Sequence, residues 1–213
     1  MKNKYIFILT ITIVCSFLLS LVTEGLRSLK DKNIEIDKKK NILNAIGLDI
    51  NILSNDDIDK YFFKNIDTLI INLEGEEDTT LNILDLQAVE NNKTGEVNYY
   101  YKGLEYLPIY QDVSISAIVL PISGKGLWST LYGYFAIDLN NYSTVKGITF
   151  YKHKETPGLG GEVSKKWFQS NFIGKEIYEN NSLNSVKVAK AGYADKNSLY
   201  EVEIDLTVHN VSN

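Results

Sequence analysis

The sequence predicts an α+β protein: one N-terminal transmembrane helix, then a mainly antiparallel-sheet domain with flanking helices. Three observations carry this. Residues 5–22 hold no charge and are mostly Ile, Leu, Val and Phe. From Val97 onward, β-branched and aromatic runs alternate with turn residues. Near the end, Tyr200, Val202, Ile204, Leu206 and Val208 alternate with Glu201, Glu203, Asp205 and Thr207, the pattern of a strand with one face to the core and one to water.

Eighteen uncharged residues rise about 27 Å as a helix, close to the ~30 Å hydrocarbon core of a bilayer. A cleaved signal peptide would have a shorter apolar core and a small-residue cleavage site. The chain instead continues Thr23-Glu24-Gly25-Leu26, so an uncleaved anchor is expected. Cys15 lies inside the run, but Ile13 and Val14 are not the small residues of a lipoprotein signal. Lys2 and Lys4 precede the anchor; Arg27, Lys30, Lys32 and Lys38-Lys39-Lys40 follow it. By charge alone this balance places the following domain in the cytoplasm.

After the anchor, Leu26, Leu29, Ile36, Leu43 and Ile46 suit a helix that stops at Gly47. Ile66 to Leu73 reads as a strand or a short buried helix. Strands are expected at Val97–Tyr101, Val113–Ile122, Gly133–Leu139 and Val145–Tyr151, the last two joined by Asn140-Asn141-Tyr142-Ser143. Ser164 is placed to cap a helix through Phe172, with Trp167, Phe168 and Phe172 near one face and Gly174 closing it. Ser185–Lys190 is a further short strand. The alternating strand then ends the chain, and the C-terminus reads as short.

The bulk numbers limit function. With 213 residues, there is room for one anchor and one globular domain. At 44% hydrophobic, the chain is not globally disordered. A net charge of −5 argues against a nucleic-acid surface. The single cysteine allows neither an internal disulfide nor a cysteine metal cluster, and His153 and His209 are too few for most histidine-rich metal sites. No metal site and no complete active site is expected in this chain.

Two glycine-rich clusters remain as candidate sites. His153-Lys154-Glu155-Thr156-Pro157-Gly158-Leu159-Gly160-Gly161-Glu162 lies between a strand and the expected helix. Its glycines let backbone N–H groups approach a ligand, and a following helix N-terminus would favour an anion. A plain surface turn accounts for the same residues. Glu155 and Glu162 read as exposed acids, and His153 as a solvated strand end. The second cluster is Ser123-Gly124-Lys125-Gly126-Leu127-Trp128-Ser129, in which Trp128 either packs in the core, which composition alone favours, or offers a flat ring to a planar ligand.

Together these clusters resemble the C subunit of the sodium-translocating NADH:quinone oxidoreductase. The matching stretches are Pro121 through Ser129, Tyr132-Gly133-Tyr134, Gly147 through Tyr151, His153 through Val163, Trp167-Phe168 and Phe172 through Lys175. Upstream, Lys38 through Gly47 is similar to the family's helix after the membrane. The G subunit of the Rnf electron-transport complex shares a shorter form of the glycine loop, but Lys-Gly-Leu-Trp-Ser and Gly160-Gly161 fit the sodium pump better.

The resemblance implies a bacterial inner-membrane protein with residues 1–25 as cytoplasmic tip and anchor. Residues 26–213 would form an FMN-binding-type domain on the periplasmic side. It implies an electron relay through FMN, within a six-subunit complex that passes electrons from NADH to ubiquinone and exports Na+. Trp128, Glu155, Thr156, Pro157, Gly158, Leu159 and Gly160 would line the flavin region. The family joins FMN through its phosphate to a threonine in Ser-Gly-Ala-Thr, after the last strand. That tetrapeptide occurs nowhere here, and Thr207 is the substitute acceptor by position. The alternative is a diverged or truncated copy retained as a non-redox structural subunit.

Overall fold

The computed structural model describes residues 2–180, 182–190, 193, 195 and 197–204. It comprises two compact units, Met1–Lys38 and Lys39–Asn213.

The first unit holds helix α1 (Lys2–Gly25), long and apolar enough to cross a membrane. Its threonines do not break it. Thr10, Thr12 and Thr23 donate their hydroxyls to the carbonyls of Ile6, Ile8 and Leu19 at 2.7–2.9 Å, so each polar group is satisfied within the helix. Helix α2 (Arg27–Ala45) begins in this unit and ends in the second.

In the second unit, α2 closes at the expected glycine. Gly47 sits at φ +89°, its N–H donating to Asn44 O and that of Leu48 to Leu43 O, which satisfies the last carbonyls of the helix. Helix α3 (Asn55–Asn65) follows, started by Ser54, whose hydroxyl accepts from Asp57 N while Asp57 accepts from Ser54 N. Ile58 on α3 is completely buried.

Among the described residues, seven strands form one antiparallel sheet: β1 (Ile66–Asn72), β2 (Gln87–Glu90), β3 (Val97–Tyr101), β4 (Leu104–Asp112), β5 (Ala117–Lys125), β6 (Thr130–Asp138) and β7 (Val145–Lys152). The order runs β2-β3-β4-β5-β6-β7, with β1 paired to β4. The ambiguous Ile66–Leu73 segment is therefore a strand. The apolar run at Val113–Ile122 is not one strand: residues 113–116 are the turn between β4 and β5, with Ser116 at φ +51°. Buried Asp112 organises that turn, accepting from Ser114 N at 2.9 Å, Ser114 Oγ at 2.5 Å and Tyr61 Oη at 2.9 Å.

The helix expected from Ser164 to Phe172 is broken into short turns. A 3₁₀ stretch at Gly160–Ser164 leads into a single α turn, α4 (Lys166–Gln169), and a second 3₁₀ stretch at Ser170–Phe172. Ser164 does not cap α4; its hydroxyl donates to Gly161 O. Three glycines in four residues, Gly158, Gly160 and Gly161, weaken helix propensity ahead of Ser164, where the first 3₁₀ stretch forms. The aromatic residues still pack: Phe168 meets Trp167, Phe150 and Phe172, with ring centroids 5.6–6.4 Å apart. Gly174 at φ +79° ends the segment.

Beyond lie β8 (Tyr178–Glu179) with β9 (Ser182–Leu183), and β10 (Lys187–Lys190) parallel to β11 (Glu201–Ile204). Val202 is buried, as the alternation requires. Leu206, Thr207 and Val208 lie outside the described residues.

Two apolar clusters support the sheet. Ile42, Leu43, Ile58, Tyr110, Val119, Tyr134 and Ala136 belong to one; Val145, Ile148, Phe168, Phe172 and Val202 to the other.

Candidate functional site

The two glycine clusters are brought together by the β5–β6–β7 ladder. Lys125 pairs with Thr130 at the last rung of β5 and β6, leaving Gly126–Ser129 as the connecting turn, closed by Gly126 N donating to Ser129 O at 2.8 Å. Tyr132 on β6 lies opposite Lys152, the last residue of β7. The chain therefore leaves β7 beside that turn and runs directly into His153–Gly161.

Glu155 joins the clusters, and it is not the exposed acid expected from the sequence. It is 8% exposed. Its Oε1 accepts from the backbone N–H groups of Trp128 and Ser129, each at 3.0 Å. Burial works against its ionisation. The N–H groups of Trp128, Ser129 and Leu127, with His153 nearby, outweigh burial and hold the carboxyl below the ordinary glutamate range. Glycines pack close on both sides of this carboxylate: a Cβ on Gly126 would lie 2.5 Å from Oε1, and one on Gly160 would lie 3.0 Å from Oε2. Ser129 adds a second tie, its hydroxyl accepting from Lys154 N at 2.7 Å. His153 Nδ1 accepts from Glu155 N at 3.3 Å, so the ring faces its own loop through that nitrogen.

Glu162 plays a similar part within the second cluster. It accepts from Gly158 N at one carboxylate oxygen and from the Trp167 indole N–H at the other, both at 3.2 Å. Thr156 O takes the N–H groups of Leu159 and Gly161 at 3.1 and 2.9 Å, and Gly158 turns at φ +74°. Both acids are thus spent on holding the loops, Glu155 through backbone and Glu162 through backbone and the Trp167 indole. The anion-binding helix N-terminus expected after this loop is not built, because α4 is a single turn preceded by 3₁₀ structure.

The apolar side chains take the opposite course. Trp128 is 69% exposed, so the core-packing reading of this residue is overturned. Leu127 is 82% and Leu159 60% exposed, and Thr156, Pro157 and Gly160 are exposed as well. A rigid, hydrogen-bonded base thus presents an uncovered apolar rim with one flat indole. Such a rim fits a planar aromatic ring system, which gains by covering apolar surface and stacking on the indole. The sequence contained Trp128, Glu155 and the glycines, but not the direction in which each points. Ser129, whose amide and hydroxyl also hold this site, was part of the Ser123–Ser129 cluster, but nothing in the sequence showed that role.

Comparison with known proteins agrees with this chemistry. Residues 126–209 match the FMN-binding domain family. The Na(+)-translocating NADH-quinone reductase C subunit of Vibrio alginolyticus is 31% identical over 199 residues, covering 87% of this chain and 76% of that protein. This chain belongs to the C-subunit family of the Na(+)-translocating NADH-quinone reductases. The same subunit of Vibrio anguillarum is 29% identical over 210 residues, covering 90% of this chain and 78% of that protein. Among solved structures, NqrC of Shewanella oneidensis superposes with a TM-score of 0.66 at 26% identity, covering 86% of this chain and 89% of that one. Its counterpart from Parabacteroides distasonis gives 0.63 at 25% identity, with 84% and 83% covered. As a member of the C-subunit family, the chain carries the α+β fold and FMN-binding domain expected of it and is part of an oxidoreductase complex. Its N-terminal helix is consistent with membrane anchoring. The substitute acceptor Thr207 lies outside the described residues.

Proposed function

We propose that this chain is the FMN-carrying, membrane-anchored C subunit of a sodium-pumping NADH:quinone oxidoreductase, relaying electrons during quinone reduction coupled to Na+ export. Residues 1–25 are the cytoplasmic tip and anchor, crossing the lipid through residues 5–22, and residues 26–213 form the periplasmic domain at the bacterial inner membrane. Its partners are the other members of a six-subunit complex. The observation that carries the reading is the exposed Leu127–Trp128–Leu159 rim on a base locked by Glu155.

FMN, when bound, supplies the one- and two-electron redox chemistry of the relay. The chain's own residues bind and orient it. Trp128 would offer its indole face to the ring, and Leu127, Leu159 and Pro157 would exclude water from it. Thr156, Gly158 and Gly160 form the turn that would support it, and a Cβ at Gly158 would meet no heavy atom within 4 Å. Glu155 takes part by orienting the Trp128 turn. Thr207 is the proposed hydroxyl for the phosphate.

A second reading is a structural subunit of the same complex without covalent flavin. One experiment separates the two. The chain is expressed in its native membrane with a flavin transferase, and intact mass and in-gel flavin fluorescence are measured. A mass gain of one FMN less water, lost in Thr207→Val, is expected. A complex that assembles and pumps Na+ while this chain stays colourless refutes the redox reading.

A further inference from the structure

Glu90 lies outside the stretch matched by the FMN-binding family and on the edge strand β2, well away from β6 in the sheet order. Its carboxylate nevertheless accepts the hydroxyl of Thr130 at Oε1 and that of Tyr132 at Oε2, the latter at 2.6 Å. The sheet is rolled so that the β2–β3 hairpin lies over the ends of β5 and β6. Val97 N donates to Ser123 Oγ at 2.7 Å, and Lys125 Nζ to Asn92 O at 3.4 Å. The approach is closest at Gly95, where a Cβ would fall 2.7 Å from the backbone of Gly124 and Lys125.

These contacts converge on the feet of the Trp128 turn. Lys125 is one foot and Thr130 the other, and both are held by the hairpin. Thr130 is itself buried and adjoins Ser129, whose backbone N–H donates to Glu155. Tyr132 carries the restraint onward. The Lys152 ammonium lies 4.7 Å above its ring, at the point where the chain enters the second glycine loop. One exposed acid therefore touches a foot of the first loop and reaches the start of the second through Tyr132 and Lys152.

We propose that Glu90 is a positioning residue for the flavin platform, fixing the Trp128 turn through Thr130 and the His153–Gly161 loop through Tyr132 and Lys152. This rests on the reading that the two loops carry the flavin. A link that only held the hairpin in place would leave the amides of the turn and the surroundings of the flavin unchanged when removed.

The test uses the full chain in detergent micelles and needs no turnover. Amide hydrogen exchange is followed at residues 126–131 and 66–72 in wild type and Glu90→Ala. Exchange about tenfold faster at 126–131 with 66–72 unchanged is the expected result. The flavin-loaded protein is then compared by visible circular dichroism, in which Glu90→Ala is expected to change the flavin band. The Thr130→Val/Tyr132→Phe double variant is expected to reproduce both effects. Unchanged exchange at 126–131, or faster exchange with an unaltered flavin band, overturns the role of Glu90. Trp128→Ala tests the underlying reading separately: if it leaves the flavin band unaltered, the platform assignment itself fails, whatever Glu90 does. If Glu90→Ala exchanges fast everywhere, Glu90→Gln decides the matter, since it keeps the size and one acceptor. It is then expected to show intermediate acceleration confined to 126–131, and none would overturn the proposal.

Discussion

Gly126→Ala tests the central geometric claim, that the Trp128 turn is seated against the Glu155 carboxylate. The added methyl would sit 2.5 Å from Glu155 Oε1 and 2.7 Å from Ser129 O. Both distances are well inside van der Waals contact. The carboxylate cannot withdraw without releasing the N–H groups of Trp128 and Ser129, and the Ser129 carbonyl is fixed by its own bond to Gly126 N. An overpacked site of this kind costs about 2 kcal/mol, within the range for added carbon atoms that the surroundings cannot absorb. For a domain of this size that lowers Tm by about 4–8 °C. Gly124→Ala is the internal control, because its Cβ meets nothing within 4 Å and its φ is not positive. It should move Tm by less than about 2 °C. Both variants are followed by near-ultraviolet circular dichroism of the full chain in detergent. Equal Tm values for the two would refute the seating of the turn on Glu155.

Three further outcomes are expected. Glu155 and Glu90 both have carboxyls held below the ordinary glutamate value of about 4.5, so their stabilisation is complete above that pH and is lost as pH falls through the lower folded values. Acid melts of wild type should fall more steeply below about pH 4.5 than those of the Glu155→Gln, Glu90→Gln double variant; parallel curves would contradict this. Tyr61→Phe removes one donor from buried Asp112 while Ser114 remains, which should cost about 1–2 kcal/mol in urea unfolding with an unchanged slope. Ile58→Ala, at a completely buried position, should cost about 2–5 kcal/mol in the same assay.

Some of the fold was legible because local pattern and tertiary demand coincide. Val97–Tyr101 and the Val202 face are such cases, as is Gly47, where a helix end needs a positive φ. Strand β4 was not legible. Its sequence, Leu-Glu-Tyr-Leu-Pro-Ile-Tyr-Gln-Asp, is apolar on both faces and interrupted by Pro108. The proline is tolerated because it falls between the parts of β4 that β3 and β5 pair, at Leu104–Tyr106 and Tyr110–Asp112. One side of the chain there has no ladder to break. Helix α3 was not legible from apolar spacing either, although Ser54 and Asp57 spell a capping box. At the site, the glycines and Trp128 could be named but not oriented. The bond from Trp128 to Glu155 spans 27 residues, and only the β6–β7 register creates it.

The crowding around Glu155 also governs which substitutions can follow one another. The atoms that would meet a Cβ at Gly160 nearest all belong to Glu155: Oε2 at 3.0 Å, Cβ at 3.2 Å and Cγ at 3.5 Å. Shortening the side chain at 155 to alanine would remove the Oε2 and Cγ contacts and leave only Cβ, at 3.2 Å, for a methyl at 160 to displace by a few tenths of an ångström. The same change would not admit alanine at 126, where the Ser129 carbonyl remains 2.7 Å away. The two glycines are unequal partners of one acid. Position 160 is conditionally free, its tolerance set by residue 155, while position 126 is closed by the main chain itself.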